Sequence, residues 1–181
     1  MNRIAKFEKV PELQFINDYV EAFDLDVNEP RTIGMLKGIY RNIKLPQRAT
    51  QGSAGYDFYA PEEYHLNRGD TIKIPTGIRV SMDPSYVLMI FPRSGWGFKY
   101  RLQLDNTVGI IDSDYYFSDN SGHIHIKISK DSYDYNKLII PSGAGFAQGI
   151  FVPFGITLDD NVTENRNGGF GSTTKSEPPA N

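Results

Sequence analysis

HIHIKIS, residues His123 to Ser129, alternates apolar and polar side chains without a break. In an extended chain successive side chains point to opposite faces, so Ile124, Ile126 and Ile128 share one face and His123, His125 and Lys127 the other. The isoleucines need a core, and the histidines are expected on a solvent-facing strand surface. His65 stands alone. A zinc site would require further ligands that the sequence does not visibly offer.

Working outward, the same texture recurs in DTIKIPTGIRVSM (70–82), YVLMIFP (86–92), KLIIP (137–141) and GIFVPFGITL (149–158). Gly, Pro, Asn and Asp clusters separate these runs, the pattern of a sandwich or barrel built from short strands. One segment differs. In PELQFINDYVEAF (11–23), Leu13, Ile16, Val20 and Phe23 recur at three- and four-residue steps and predict a helix over 12–23. Pro11 suits its first position, where a missing N–H costs nothing. A linker through Glu29 and Pro30 is then expected to lead back to strands.

The 181 residues favour one domain, and a net charge of −3 argues against a broad surface for polymeric nucleic acid. A small phosphate ligand stays compatible, because a few arginines and backbone amides suffice for it. Cysteine is absent, which removes disulfides, thiolate metal sites and a cysteine nucleophile. No apolar run approaches the roughly 20 residues of a membrane span, and MNRIAKFEKV lacks a signal peptide's apolar stretch. A cytoplasmic protein is the simplest expectation.

Four turn-rich stretches carry more polar groups than turns require. In GSAGYDFYA (52–60), Asp57 is either a turn residue or a carboxylate for a metal ion or its waters. PRSGWGFKY (92–100) follows an apolar strand with Arg93, Ser94, Gly95, Gly97 and Lys99. It reads as a phosphate cradle or as a hairpin turn with solvated charges. It lacks the Walker spacing, and the chain has no GxSxG elbow. In LDNTVGIIDSDYYFSDN (104–120), Asp112 ends an apolar run, where partial desolvation suits a general base, although aspartate also favours turns. In GAGFAQGIFVP (143–153), Gln148 interrupts an apolar strand and needs a partner, from the core or from a ligand. Finally, RNGGFGSTT (166–174) can neither pack a core nor hold a helix, yet carries one ring, one fixed cation and three hydroxyls.

In order, AGYDFYA, PRSGWGFK, DNTVGIIDSDYY, GFAQGIFVP and RNGGFGST resemble the five motifs of the trimeric dUTPase (dUTP diphosphatase) family, over about 45–174, with RIAKFEKV as the first strand. The resemblance implies an all-β, jelly-roll-like subunit with an arm at 160–174; this chain adds a helical insertion at 11–38 and a tail at 175–181 that is expected to be disordered. The resemblance also implies a homotrimer with active sites shared between subunits, and Mg2+-dependent hydrolysis of dUTP to dUMP and pyrophosphate. Residue by residue, Asp57 matches the aspartate that holds the metal's waters, and Arg93, Ser94, Gly95 and Gln148 match phosphate contacts. Asp112 matches the base that activates water for attack on the α-phosphorus. Asn106 matches an asparagine near uracil and that water, and Tyr115 the ring beneath the deoxyribose that leaves no room for a 2′-hydroxyl. The arm would close as a lid over a neighbouring subunit's site. Phe170 would then stack on uracil, and Arg166, Gly171, Ser172 and Thr173 would meet the nucleotide.

The chain departs from the family pattern at Gly145, where an arginine is usual, and after Tyr115, where DYYFSDN alters the turn. In the arm Arg166 lies four residues before Phe170 rather than five. The insertion is the fourth departure; it reads as a cover for the β core, or as a contact for a protein partner or within the trimer. Two other functions fit the same residues: a non-catalytic nucleotide-binding or regulatory trimer, and a dCTP deaminase-like enzyme of the same fold.

Overall fold

The computed structural model describes residues 2–131 and 137–164. Arg166, Phe170, Gly171, Ser172 and Thr173, expected to form the closing arm, lie outside the described residues.

The alternating runs form strands. β1 (Ala5–Lys9) is followed by helices α1 (Glu12–Phe23) and α2 (Thr32–Asn42), then by β2 (Gln47–Arg48), β3 (Tyr56–Tyr59), β4 (Tyr64–Leu66), β5 (Thr71–Pro75), β6 (Ile78–Met82) and β7 (Tyr86–Pro92). A short helix α3 (Ser94–Tyr100) leads to β8 (Leu102–Leu104) and β9 (Gly109–Ile111). A 3₁₀ turn (Ser113–Phe117) precedes β10 (His125–Lys130), β11 (Leu138–Ile140) and β12 (Gly145–Pro153). The architecture is all-β and jelly-roll-like. Its largest sheet has the order β2-β3-β12-β7-β9, beside β5-β10-β8, β1-β6 and β11-β4, and the strand pairings among the described residues are antiparallel. Strand β12 lies between β3 and β7, so Gln148 is opposite Asp57 on one side and Phe91 on the other.

Ile124, Ile126 and Ile128 are buried as the alternation requires, joining Phe58, Ile74, Leu88, Ile90 and Phe146 in one hydrophobic cluster. The opposite face departs from expectation. His123 is fully buried and the His125 side chain is 7% exposed. The reason is α1, which lies over this end of β10 and replaces solvent.

Helix α1 has the expected bounds, but its buried face is Phe15, Ile16, Asp18 and Tyr19, while Leu13 is 69% exposed. Aromatic rings carry more burial energy than the aliphatic stripe and turn the helix towards them. The Phe15 ring lies 5.1 Å from Tyr19, and Tyr19 lies 4.6 Å from Phe23. Glu29 and Pro30 do not lead directly back to strands. Helix α2 intervenes, with Leu36 buried and the Tyr40 hydroxyl donating to the Val10 carbonyl at 2.7 Å. Two glycines and a β-branched residue at the start weaken its periodic signal.

Gly77 fixes where the insertion docks. Its φ of +72° is left-handed, and a Cβ there would come within 2.2 Å of Ile43 Cδ1 and 3.3 Å of Phe15 Cδ2. Its carbonyl accepts from the Val10 N–H at 3.0 Å. A side chain at 77 would strain the turn and push the insertion off the sheet.

Candidate active site

Asn106, Asp112 and Tyr115 line one cavity of about 440 Å3, together with Ile90, Ile110 and His125. That volume falls in the roughly 300–1,000 Å3 range of small-molecule sites. Asp112 follows β9 in extended backbone, half-buried, and opens the 3₁₀ turn that carries Tyr115. Asn106 sits on the exposed turn between β8 and β9, which is tied to β10. The Asp105 N–H donates to the Lys127 carbonyl at 3.1 Å, and Lys127 Nζ lies 2.9 Å from Asp105 Oδ2. Burial opposes the charge on Asp105, but hydrogen bonds from Ser129 and Lys127 outweigh it and hold its carboxyl below the ordinary range.

Tyr115 is 4% exposed and held at both ends. Its hydroxyl donates to the His123 carbonyl at 2.9 Å and accepts from Asn120 Nδ2 at 2.8 Å; its own carbonyl accepts from Ser118 Oγ at 2.7 Å. The altered sequence DYYFSDN therefore supplies its own ties for the ring, with Ser118 Oγ also lying 2.7 Å from Asn120 Oδ1.

A second group assembles around β12. Arg93 Nε lies 3.2 Å from Asp57 Oδ1, and Arg93 Nη1 donates to the Gly145 carbonyl at 3.2 Å. Trp96 Nε1 donates to the same carbonyl at 2.7 Å. The departure at Gly145 has a structural consequence: a Cβ there would meet Arg93 Nη1 at 2.7 Å. The bare backbone lets the guanidinium lie flat and reach Asp57. Gly55 does the same for Gln148, whose Oε1 would sit 2.7 Å from a Cβ at that position. Ser94 and Gly95 begin α3, so PRSGWGFKY is a short helix rather than a hairpin turn. The structure thus brings Asp57, Arg93 and Gln148 together around β12, and Asn106, Asp112 and Tyr115 around the cavity.

Sequence reading gave Asp18, Trp96, Gly55 and Asn120 no role, and it set His123 and His125 on the solvent face. Asp18 left a signal: it is a carboxylate flanked by the aromatic positions Phe15 and Tyr19 on one helical face. In the fold its Oδ2 takes His123 Nδ1 and lies 3.3 Å from His125 Nε2, while Oδ1 accepts from Gln14 at 2.9 Å. Asp18, His123 and His125 bring three potential metal donors within 4.8 Å of one another. The Gly77 N–H, however, donates to His123 Nε2 at 2.8 Å. That bond places the ring's proton on Nδ1, where it points at Asp18, and leaves no lone pair there for a cation. The cluster is a hydrogen-bonded lock. Burial pushes the His123 imidazole down to about 4, against the raising effect of Asp18. Burial likewise opposes the charge of Asp18, but bonds from His123, His125 and Gln14 prevail and keep its carboxyl well below the usual range.

The dUTPase family model matches residues 41–174. The chain belongs to the dUTPase family. The deoxyuridine 5'-triphosphate nucleotidohydrolase of Lactococcus lactis subsp. lactis (strain IL1403) is 39% identical over 139 residues, covering 74% of this chain and 91% of that protein. The protein of the same name from Shigella flexneri serotype 5b (strain 8401) is 36% identical over 160 residues, covering 84% and 97%. Among solved structures, a dUTPase from Streptococcus mutans matches with a TM-score of 0.56 and 36% identity, covering 62% of this chain and 88% of that one. The dUTPase family match begins at residue 41, so β1, α1 and nearly all of α2 precede it. Among the described residues, no helix is long and apolar enough to cross a membrane.

Proposed function

We propose that this dUTPase hydrolyses dUTP to dUMP and pyrophosphate, with Asp112 as the general base for water attacking the α-phosphorus. The observation that carries the reading is the cavity that half-buried Asp112 lines and in whose wall Tyr115 is fixed. A pyrimidine deoxynucleoside is the matching occupant. Asn106 faces its base, and the Tyr115 ring packs beneath the sugar and excludes a 2′-hydroxyl.

Arg93, Ser94, Gly95 and Gln148 meet the phosphates. Arg93 already lies against a carboxylate, so an arriving triphosphate exchanges one anionic partner for another at little cost in desolvation. The Asp57 side chain is 15% exposed and offers hard oxygen donors, which fits a Mg2+ ion carried by the triphosphate and its waters. When bound, the ion would neutralise phosphate charge. Asp112 would take the proton from water, a role typically contributing about 10²–10⁴-fold. The active unit is a homotrimer in which cavity and phosphate contacts from different subunits meet, and the arm carrying Arg166, Phe170, Gly171, Ser172 and Thr173 closes over the nucleotide. Closure would exclude water other than the nucleophile.

The test is pyrophosphate release from each deoxynucleoside triphosphate and from UTP, with and without Mg2+, beside Asp112→Asn. Metal-dependent cleavage selective for dUTP and slowed about 10²–10⁴-fold in the variant is expected. Well-folded protein that releases no pyrophosphate from dUTP overturns the reading, and ammonia release from dCTP would replace it with deamination.

A further inference from the structure

Helix α1 lies outside the matched family segment, yet its one buried carboxylate reaches the cavity wall in two steps. Asp18 Oδ2 accepts from His123 Nδ1, and the other ring nitrogen of His123 accepts from the Gly77 N–H at 2.8 Å. A ring engaged at both nitrogens cannot rotate, and burial on all sides holds it in place. The carbonyl of that same residue accepts the Tyr115 hydroxyl at 2.9 Å and Asn120 Nδ2 at 3.2 Å. Next along β10, His125 both lines the cavity and lies 3.3 Å from Asp18 Oδ2, with its ring 4.4 Å from that of His123.

We propose that α1 is a positioning element for sugar selection: Asp18 fixes His123, whose carbonyl fixes the Tyr115 ring against the deoxyribose. The proposal rests on the reading of Tyr115 as the sugar wall. Its physical basis is that rejecting a 2′-hydroxyl requires a wall that does not yield. A ring free to shift by a fraction of an ångström admits one extra oxygen, whereas a ring held through a buried, fully bonded imidazole does not. Asp18, His123 and Asn120 are positioning residues; only Tyr115 faces the nucleotide.

The measurement is the ratio of kcat/KM for dUTP over UTP in the full-length protein. Asp18→Ala is expected to lower that ratio about tenfold, within the up to ~100-fold scale of a 1 Å misplacement. The change should lie in a lower KM for UTP with kcat for dUTP within about twofold, since Asp112 is untouched. Asp18→Asn keeps an oxygen that accepts from His123 and should restore most of the ratio. In a Tyr115→Phe background, where the hydroxyl tie is gone, Asp18→Ala should lower the ratio no further.

A ratio unchanged in Asp18→Ala, or an equal drop with and without the Tyr115 hydroxyl, overturns the proposal. If Asp18→Ala does not fold, Asn120→Ala and Tyr115→Phe carry the test, and an unchanged ratio in both overturns it. Tyr115→Ala separates the two levels. If that variant leaves the ratio intact, the sugar-wall reading itself fails; if it collapses the ratio while Asp18→Ala and Tyr115→Phe do not, only the coupling fails.

Discussion

The cavity lined by Asn106, Asp112 and Tyr115 and the Asp57–Arg93 pair beside β12 are held in different ways. Tyr115 is buried, bonded at its hydroxyl and carbonyl, and backed by a histidine engaged at both nitrogens. Arg93 is 42% exposed and rests on one ion pair and one shared carbonyl. Recognition of a base and sugar depends on fixed shape, because a wall that moves accepts the wrong ligand. Phosphate binding depends on charge, which tolerates a mobile side chain that reorganises when the ligand arrives. The lesson is that rigidity is spent where discrimination is needed.

The largest effect is expected of Asp112→Asn. Loss of the proposed base should cost about 10²–10⁴-fold in kcat, with dUTP affinity changed only a few-fold, read by single-turnover pyrophosphate release and equilibrium binding. A comparable loss of affinity would mean that Asp112 builds the cavity rather than performing the chemistry.

Acid tests the rigid side. The folded imidazole of His123 is held at about 4 against an ordinary 6.5, so the unfolded chain takes up a proton that the folded chain refuses. Its contribution is complete above pH 6.5, is lost as pH falls to about 4, and amounts to about 3 kcal/mol. The charged and titratable groups facing it are Asp18 from α1, His125 on β10 and Lys73 from β5. Asp18 titrates below its ordinary value, so its share is lost only under more acidic conditions. Urea midpoints from pH 7 to 4 should fall more steeply in the native chain than in His123→Gln; parallel curves would remove His123 from the account.

On the adaptable side, Gly145→Ala places a methyl where Arg93 Nη1 lies 2.7 Å from the ideal Cβ. A displaced guanidinium should raise KM for dUTP about tenfold with little change in melting temperature, since one lost charge-assisted contact amounts to about 1.5–3 kcal/mol. A loss of stability without a KM effect would mean that the tight fit serves the sheet rather than the site. Asn120→Ala should have the smallest effect, a few-fold loss of dUTP over UTP selectivity, because the Tyr115 hydroxyl keeps its bond to the His123 carbonyl.

The placement of the proposed site residues follows local pattern: Asn106, Asp112 and Tyr115 fall together on one cavity, and Asp57, Arg93 and Gln148 beside β12, on strands and turns marked by period-two alternation and glycine punctuation. What was not readable involves partners distant in sequence. His123 and His125 alternate with isoleucine and so look solvated; only the packing of α1, 105 residues from His123 at Asp18, turns that face into an interior. Gly145 looked like a missing contact because its value lies in the side chain it leaves room for. Helix α2 was missed because Gly34 and Gly38 dilute its apolar stripe, and its stability comes from tertiary burial of Leu36 and the Tyr40 tie to Val10.

The all-β class and the bounds of α1 are legible in the amino-acid order alone, because side-chain periodicity and backbone preference are local properties. Which face of α1 is buried, which nitrogen of His123 carries the proton, and that an inserted helix stands behind the cavity wall depend on the assembled fold. Those follow from contacts between segments far apart in the chain, where burial converts an ordinary aspartate and histidine into a single fixed pair.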